Sequence, residues 1–221
     1  MNTEQARFNM IEQQIRPWDV LDTGILSLLA VVKRADFVPP AYRSMAFFDT
    51  EVPLTTPPKD GQHMLAPKVE ARLLQELNVR RHERVLEVGA GSGYMAALLS
   101  HKARQVVTLE IDPVLAKMAS DNLKRAAISN VSVVEGDGSK RLPTAGPFDV
   151  ILLSGSVAAV PPALLNELKV GGRLAAIVGQ EPVMCAVLVT RLSDKEFKSV
   201  NLFDTVAPRL SGFDEPSRFH F

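Results

Sequence analysis

The stretch that most constrains this chain is Val85 to Gly93, VLEVGAGSG, a short apolar strand running into three glycines spaced two apart. Val85, Leu86 and Val88 have the pattern of a buried strand. Gly89, Gly91 and Gly93 remove Cβ atoms where the chain must turn tightly and where a ligand can touch its backbone. Tyr94 to Ser100 then begins a helix, so its unpaired N–H groups and positive dipole end are expected to face whatever sits on the glycines. The stretch reads as a cofactor cradle.

Spacing discriminates between cofactors. The dinucleotide fingerprint G-x-G-x-x-G needs a glycine at position 94 for close helix–strand packing, and this chain has Tyr94 there, so NAD fits poorly. With Glu87 inside the strand, the run E-x-G-x-G-x-G resembles the first motif of Rossmann-like methyltransferases that bind S-adenosylmethionine. That resemblance makes Glu87, Gly89, Ala90, Gly91, Ser92 and Gly93 the first cofactor-binding group. Taken alone, the same glycines also suit an ordinary βα turn. Downstream, Gln105 to Glu110 reads as a second strand ending in an acid 21 positions after Gly89, the place from which a carboxylate can accept hydrogen bonds from both ribose hydroxyls. Glu110, followed by Ile111, is the first choice and Asp112 the second; either can instead cap the helix that Pro113 opens.

At 221 residues the chain allows one large domain or a domain with an extension. About 70% or more of its extended surface is expected to be buried at this size. The 25 basic and 25 acidic residues cancel, which disfavours a nucleic-acid or anionic-membrane partner. Cys185 is the single cysteine, so no internal disulfide is available and a reducing, cytoplasmic setting is expected; its apolar neighbours suggest a buried structural thiol. The N-terminus is polar, and no stretch approaches the roughly 18 apolar residues of a spanning helix. His63, His82, His101 and His220 are scattered without ligand spacing, so no metal is expected.

In chain order, Glu4 to Ile15 carries Phe8, Ile11 and Ile15 at helical steps and is expected to end at Arg16, before Pro17. Asp22 or Thr23 caps a second helix through Val32. Tyr42 to Lys68 is a long proline-rich connection with little periodicity, a length that points to a functional loop. Val69 to Leu77 is an amphipathic helix leading into the glycine strand. Further on, Val114 to Ala127 is helical and Val131 to Val134 is a third strand, followed by EGDG. There Asp137 can accept from an adenine amino group while Gly138 lets the backbone approach, or the pair is a plain Asp-Gly turn. Phe148 to Leu153 is a central strand buried on both faces, with Ser154-Gly155-Ser156 at its C-terminal end where substrate would meet cofactor. Pro161 to Leu168 is a short helix, Lys169 to Gly172 a turn, Arg173 to Gly179 a strand. Cys185 to Arg191 and Lys198 to Val206 form an edge hairpin; Ser211 to Phe221 has no pattern. The expected fold is α/β: a Rossmann-like doubly wound, mostly parallel sheet with an antiparallel C-terminal hairpin. Residues 1–68 form an N-terminal helical extension and substrate loop on the 69–221 cofactor domain, as one compact unit.

Over roughly Ala6 to Leu210 the chain resembles the protein-L-isoaspartate O-methyltransferase family. VLEVGAGSGYMAALL, TLEID, EGDG, PFDVILLS and LKVGGRLAAIVG follow the family's order, and MIEQQI, KRADFVPPAY and the GQ of GQHMLAP are more diagnostic still. The resemblance implies methyl transfer from S-adenosylmethionine to the abnormal carboxylate of isoaspartyl residues in damaged proteins or peptides. A carboxylate with a reference pKa of about 4 is already ionised at neutral pH, so no acid–base residue is nominated. Gln62, His63, Leu65 and Ser154 are the candidates for positioning substrate.

Where the family places a serine after GQ, as in G-Q-T-I-S-Q-P, this chain has Leu65, which offers no hydroxyl. Losing such a hydroxyl typically costs ~1–3 kcal/mol. His63, two residues earlier, can donate in its place or stand as an exposed loop histidine. Ser154-Gly155-Ser156-Val157 replaces a threonine–alanine segment, and Arg16-Pro17 an arginine–glycine pair. Three readings follow: an isoaspartyl methyltransferase, a methyltransferase for another acceptor, and a non-catalytic protein that binds S-adenosylmethionine. The sequence does not indicate an oligomeric state.

Overall fold

A computed structural model describes residues 2–140, 142–144 and 146–215. Helix α1 (Thr3–Asn9) is capped by Asn2, whose side-chain oxygen accepts from the backbone N–H of Glu4. The helical run continues as a wider π turn over Met10–Ile15 and closes as a 3₁₀ turn over Arg16–Trp18, where Pro17 stops it. Asp19 then takes a left-handed conformation, φ 58°. Helix α2 (Thr23–Val31) is capped by Asp22, which accepts from Ile25 N–H at 3.0 Å.

The long connection has more structure than its sequence suggests. A 3₁₀ helix spans Pro40–Met45, and two short antiparallel strands, β1 (Val52–Pro53) and β2 (His63–Met64), pair Val52 with Met64. Strands of two residues are too short to show alternation. Helix α3 (Pro67–Leu77) buries Val69, Leu73, Leu74 and Leu77 along one face and ends at Asn78 in the left-handed region.

The main sheet is built from β3 (Arg84–Val88), β4 (Gln105–Glu110), β5 (Val131–Glu135), β6 (Phe148–Val157), β7 (Leu168–Gln180), β8 (Val183–Arg191) and β9 (Phe197–Asp204). Helices α4 (Tyr94–Ser100), α5 (Pro113–Arg125) and α6 (Pro162–Asn166) connect them. The seven strands lie in the order β5-β4-β3-β6-β7-β8-β9, parallel from β5 through β7 and antiparallel for β8 and β9. The order reverses direction between β4 and β6 at β3, so the glycine turn after β3 sits at the topological switch point where such sheets bind ligands. The antiparallel edge hairpin stands where the sequence pattern puts it.

Three elements differ from expectation. Strand β6 does not stop at Leu153 but runs on to Val157: after a register shift Ser156 and Val157 pair with Ile177 and Val178 of β7, and the returning chain bonds Ser156 as well, Ser156 N–H donating to Pro208 O and Leu210 N–H to Ser156 O. Strand β7 begins at Leu168 rather than Arg173; Leu168 pairs with Phe148, and the glycine-rich run expected as a turn is absorbed as a register shift. Cys185 is half-buried, not buried, since only the edge strand β9 flanks β8 on that side; burial and the nearby Asp204 carboxylate push its thiol up. His220 and the end of the Ser211 to Phe221 stretch lie outside the described residues.

One buried hydrophobic cluster runs continuously from Met10, Ile15 and Leu29 in the N-terminal segment through Leu65 and Leu74 to Val85, Leu98 and Val150 of the sheet. A second, on the other face, gathers Leu86, Leu109, Phe148 and Ile151. The N-terminal segment is tied down by a polar anchor as well. Arg34, with no exposed surface, pairs with the equally buried Glu70 of α3 at 3.2 Å and donates to Ala46 O (3.1 Å) and Leu65 O (2.7 Å). Removing one partner of such a pair strands a charge away from water, so Glu70→Ala is expected to cost about 3–5 kcal/mol in chemical denaturation. A loss below 1 kcal/mol would show that Arg34 finds another partner.

Candidate active site

The glycine turn is set by contacts on all sides. Gly89 and Ala90 N–H both donate to Leu109 O, and Gly93 N–H to Ala90 O, so these N–H groups are spent on the chain itself. Helix α4 is buried along its whole length. The turn that leads into α4 is therefore internally held. Gly93, φ 82°, serves packing: a Cβ there would meet Ala119 Cα and O of α5 at 3.2 Å. Gly91, φ 51°, lets Leu54 of the long connection come down on the turn; a Cβ would lie 3.1 Å from its Cδ1.

Glu110, at the end of β4, fixes the turn. Its Oε2 accepts from Gly91 N–H at 2.8 Å and its Oε1 from Asp112 N–H at 3.1 Å. Burial pushes its carboxyl up, opposed by the backbone donors of Gly91, Asp112 and Ile111. Asp112 caps α5, with Oδ1 accepting from Val114 N–H, and its Oδ2 accepts from Gln62 Nε2 at 2.8 Å. Gln62 thereby fastens the long connection across the mouth of the sheet.

These residues line an open cleft of about 120 Å³. Its floor is Val88, Gly89, Gly91, Glu110, Ile111, Gly136 and Gly138, at the C-terminal ends of β3, β4 and β5. Its cover is Leu54, Gln62 and His63 from the connection, with Arg209, Leu210 and Phe213 from the returning chain. Ser154 lies at the inner end. Polar atoms are left without a hydrogen-bond partner among the described residues around it, notably Gln62 Oε1 and Arg209 Nη1, both buried. A glycine turn at the switch point of the sheet and an acid at the tip of β4 fit an adenosine-bearing cofactor.

The predicted residues are not all brought to the cleft. Asp137 does not line it: its Oδ1 accepts from Ser139 N–H (2.9 Å) and Ser139 hydroxyl (2.6 Å), and Lys140 pairs with Oδ2 at 3.2 Å. Gly138 does line it, and has no room for a side chain, since a Cβ would lie 2.5 Å from Val88 Cγ1. His63 borders the cleft rather than bulk solvent alone.

Behind the glycine turn is a small inner chamber, lined by His63, Leu65, Glu70, Glu87, Ala90, Ser92, Tyr94 and Ser154. Leu65 is buried there, at 4% exposure. Glu87 is completely buried and accepts from Ser154 Oγ and Thr108 Oγ1, each at 2.7 Å. Burial pushes its carboxyl up to about 8, against the pull of those two hydroxyls. Its role in the structure is to hold Ser154 from behind; it does not line the cleft. The returning segment at Arg209 to Phe213 is the part of the site that sequence reasoning missed. Its signal was limited to a resemblance that faded at Leu210.

The fold and cleft define a Rossmann-like methyltransferase. The family model for protein-L-isoaspartate(D-aspartate) O-methyltransferase matches residues 5–206. A Herpetosiphon aurantiacus protein-L-isoaspartate O-methyltransferase is 39% identical over 176 residues, 80% of this chain and 77% of that protein. A solved protein-L-isoaspartate O-methyltransferase superposes with TM-score 0.79 at 26% identity, covering 93% of this chain and 66% of that one. A solved Plasmodium falciparum protein in complex with S-adenosyl-L-homocysteine shows the same fold, with TM-score 0.75 at 20% identity over 95% of this chain and 99% of that one. The chain belongs to the protein-L-isoaspartate(D-aspartate) O-methyltransferase family, and is an S-adenosylmethionine-dependent methyltransferase.

The buried acids carry a pH signature. Glu87 and Glu70 rise from an ordinary 4.5 to about 8 and about 7, Glu70 through burial that its Arg34 partner only partly offsets. The folded protein keeps protons there that the unfolded chain releases, so their contribution is complete below about pH 4.5 and is lost as pH rises through 7 and 8. Glu87→Gln is expected to flatten the decline of melting temperature between about pH 5 and 8. An unchanged slope would show that Glu87 is ionised in the fold.

Proposed function

We propose that this chain transfers a methyl group from S-adenosylmethionine to the free carboxylate of isoaspartyl residues in damaged proteins or peptides. The observation that carries the reading is the pinned Glu110: an acid at the tip of β4, bonded to the glycine turn, beneath a cover that carries the GQ pair. Glu110 would accept from the ribose hydroxyls, Ile111 and Gly138 would face the base, and Gly89 and Gly91 would leave room above the turn. Ala90, Ser92 and Gly93 shape that turn. Asp137, whose Oδ1 is taken by Ser139, would offer Oδ2 to an adenine amino group.

When bound, S-adenosylmethionine supplies an electrophilic methyl: a new O–C bond forms as the C–S bond breaks, leaving an ester and a neutral thioether. The protein's own task is lighter than in most group transfers. An ionised carboxylate needs no base, and Glu87, neutral and behind Ser154, is not placed to be one. Positioning falls to Ser154 and His63 at the inner end and to Gln62, which holds the cover on and keeps water out. Neutral overall charge and a single cysteine support a cytoplasmic enzyme acting on proteins, not on nucleic acid or membranes. Among the described residues, no helix is long and apolar enough to cross a membrane.

A second reading keeps the chemistry and changes the acceptor. Leu65 favours it, because its buried side chain faces the inner chamber where the family's serine would offer a hydroxyl.

Calorimetry with S-adenosylmethionine and an assay for methyl ester on an isoaspartyl peptide test both readings. Binding with ester is expected; binding without ester would select the second reading and make Leu65→Ser the variant to assay. Glu110→Ala is expected to weaken cofactor binding about ten- to a hundredfold, the worth of a charged hydrogen bond. Unchanged affinity would remove Glu110 from the site.

A further inference from the structure

We propose that Arg209 receives the acceptor's carboxylate, so that in this chain a guanidinium does the recognition that a hydroxyl at position 65 does not. The inference rests on the carboxylate-acceptor reading above. Among the described residues that line the cleft Arg209 is the only lysine or arginine, and the acids Asp60, Glu110 and Asp112 also stand there. A carboxylate entering between the cover and the floor therefore meets one permanent cation.

The side chain is held as a receptor would be. Its Nη2 donates to Gly179 O at 2.8 Å, at the end of β7, and its Nε pairs with Glu215 at 2.9 Å. Its Nη1 is buried and has no acceptor among the described residues. A buried donor without an acceptor is uncommon and costly, and at the wall of a cleft it indicates a ligand. Glu215 already shows that the guanidinium takes a carboxylate on another edge.

The backbone of Arg209 is tied near the inner end of the cleft, while its guanidinium reaches Gly179 at the end of β7. Arg209 is bridged in parallel to Ser156, two residues along β6 from Ser154. Its carbonyl lies 3.3 Å from where a Cβ on Gly61 would sit, so the arginine is also packed under the turn that precedes Gln62 and His63. One N–H from Nη1 to one carboxylate oxygen orients the acceptor and leaves the other oxygen's lone pairs free to attack. Charge-assisted hydrogen bonds of this kind are about twice as strong as neutral ones.

The test is calorimetric binding to the full chain saturated with S-adenosylhomocysteine, using an isoaspartyl peptide and the same peptide with that carboxylate amidated. The wild type is expected to prefer the carboxylate peptide about ten- to a hundredfold. Arg209→Gln should abolish that preference while cofactor affinity stays within about twofold, and Arg209→Lys, which keeps the charge but not the fork, should recover part of it. A preference that survives in Arg209→Gln overturns the inference and leaves the acceptor reading intact. So does loss of cofactor affinity by the same factor as peptide affinity in both variants, which would make Arg209 part of the cofactor wall. Wild-type protein that binds neither peptide overturns the acceptor reading, and this inference with it.

Discussion

The buried guanidinium of Arg34 is the contact on which the geometry of the site depends. It comes from the segment after α2 and reaches three places at once: the Glu70 carboxylate on α3, Ala46 O near the start of the long connection, and Leu65 O just beyond the second short strand. The proline-rich stretch between Tyr42 and Lys68 is anchored by packing as well, through buried Phe47, Val52, Leu54, Met64 and Leu65. By gripping that stretch near both ends, Arg34 fixes where Gln62 and His63 emerge over the glycine turn. Its neighbour Tyr94, the first residue of α4, lies beneath it at 5.6 Å from ring centre to guanidinium carbon. The cover and the cofactor turn thus share one support.

Glu110 and Glu87 show two uses of an acid in a parallel sheet. Both sit near the C-terminal ends of adjacent strands, both are largely removed from water, and both are pushed up by burial. Glu110 is met mainly by backbone N–H groups, which favour its charged form and leave it able to take further donors. Glu87 is met by two hydroxyls and stays neutral at ordinary pH, a rigid hydrogen-bonding post behind Ser154. The motif E-x-G-x-G-x-G therefore contains one residue that shapes the pocket from behind, followed by glycines that shape it from below. Leu65 faces the same chamber, so its effect on an acceptor is felt where Ser154 is held.

The sheet and its switch point were legible in the sequence because they rest on local patterns: apolar strands, a glycine turn, an acid at the tip of the second strand. The resemblance carried the family across most of the chain for the same reason. Other features are set by partners far away in sequence. Strand β6 continues past Leu153 because Ile177 and Val178 pair with its end and Pro208 and Leu210 bond Ser156, and no pattern near residue 154 encodes that. The close approach of Ala119 to Gly93 depends on how α5 packs against the turn. The bonds from Ser139 to Asp137 are local, but they form only once the strand end is folded. Arg209 was invisible because its surroundings, Gly179, Gly61 and Ser156, are assembled only by the fold.

The return of the chain to Ser156 ties completion of the cleft to the order of synthesis. Walls of the cavity come from residues near 54, 62, 89, 110, 138, 154 and 210, so each successive βα unit adds one side and the last segment adds the final one. A nascent chain that has reached the end of β7 owns the glycine turn and its acid but has nothing over Gly89, where Leu210 will later pack. The ribosome must therefore release the chain through Leu210 before this wall of the cleft exists, and a chain halted earlier is left with Gly89 open to water on that side.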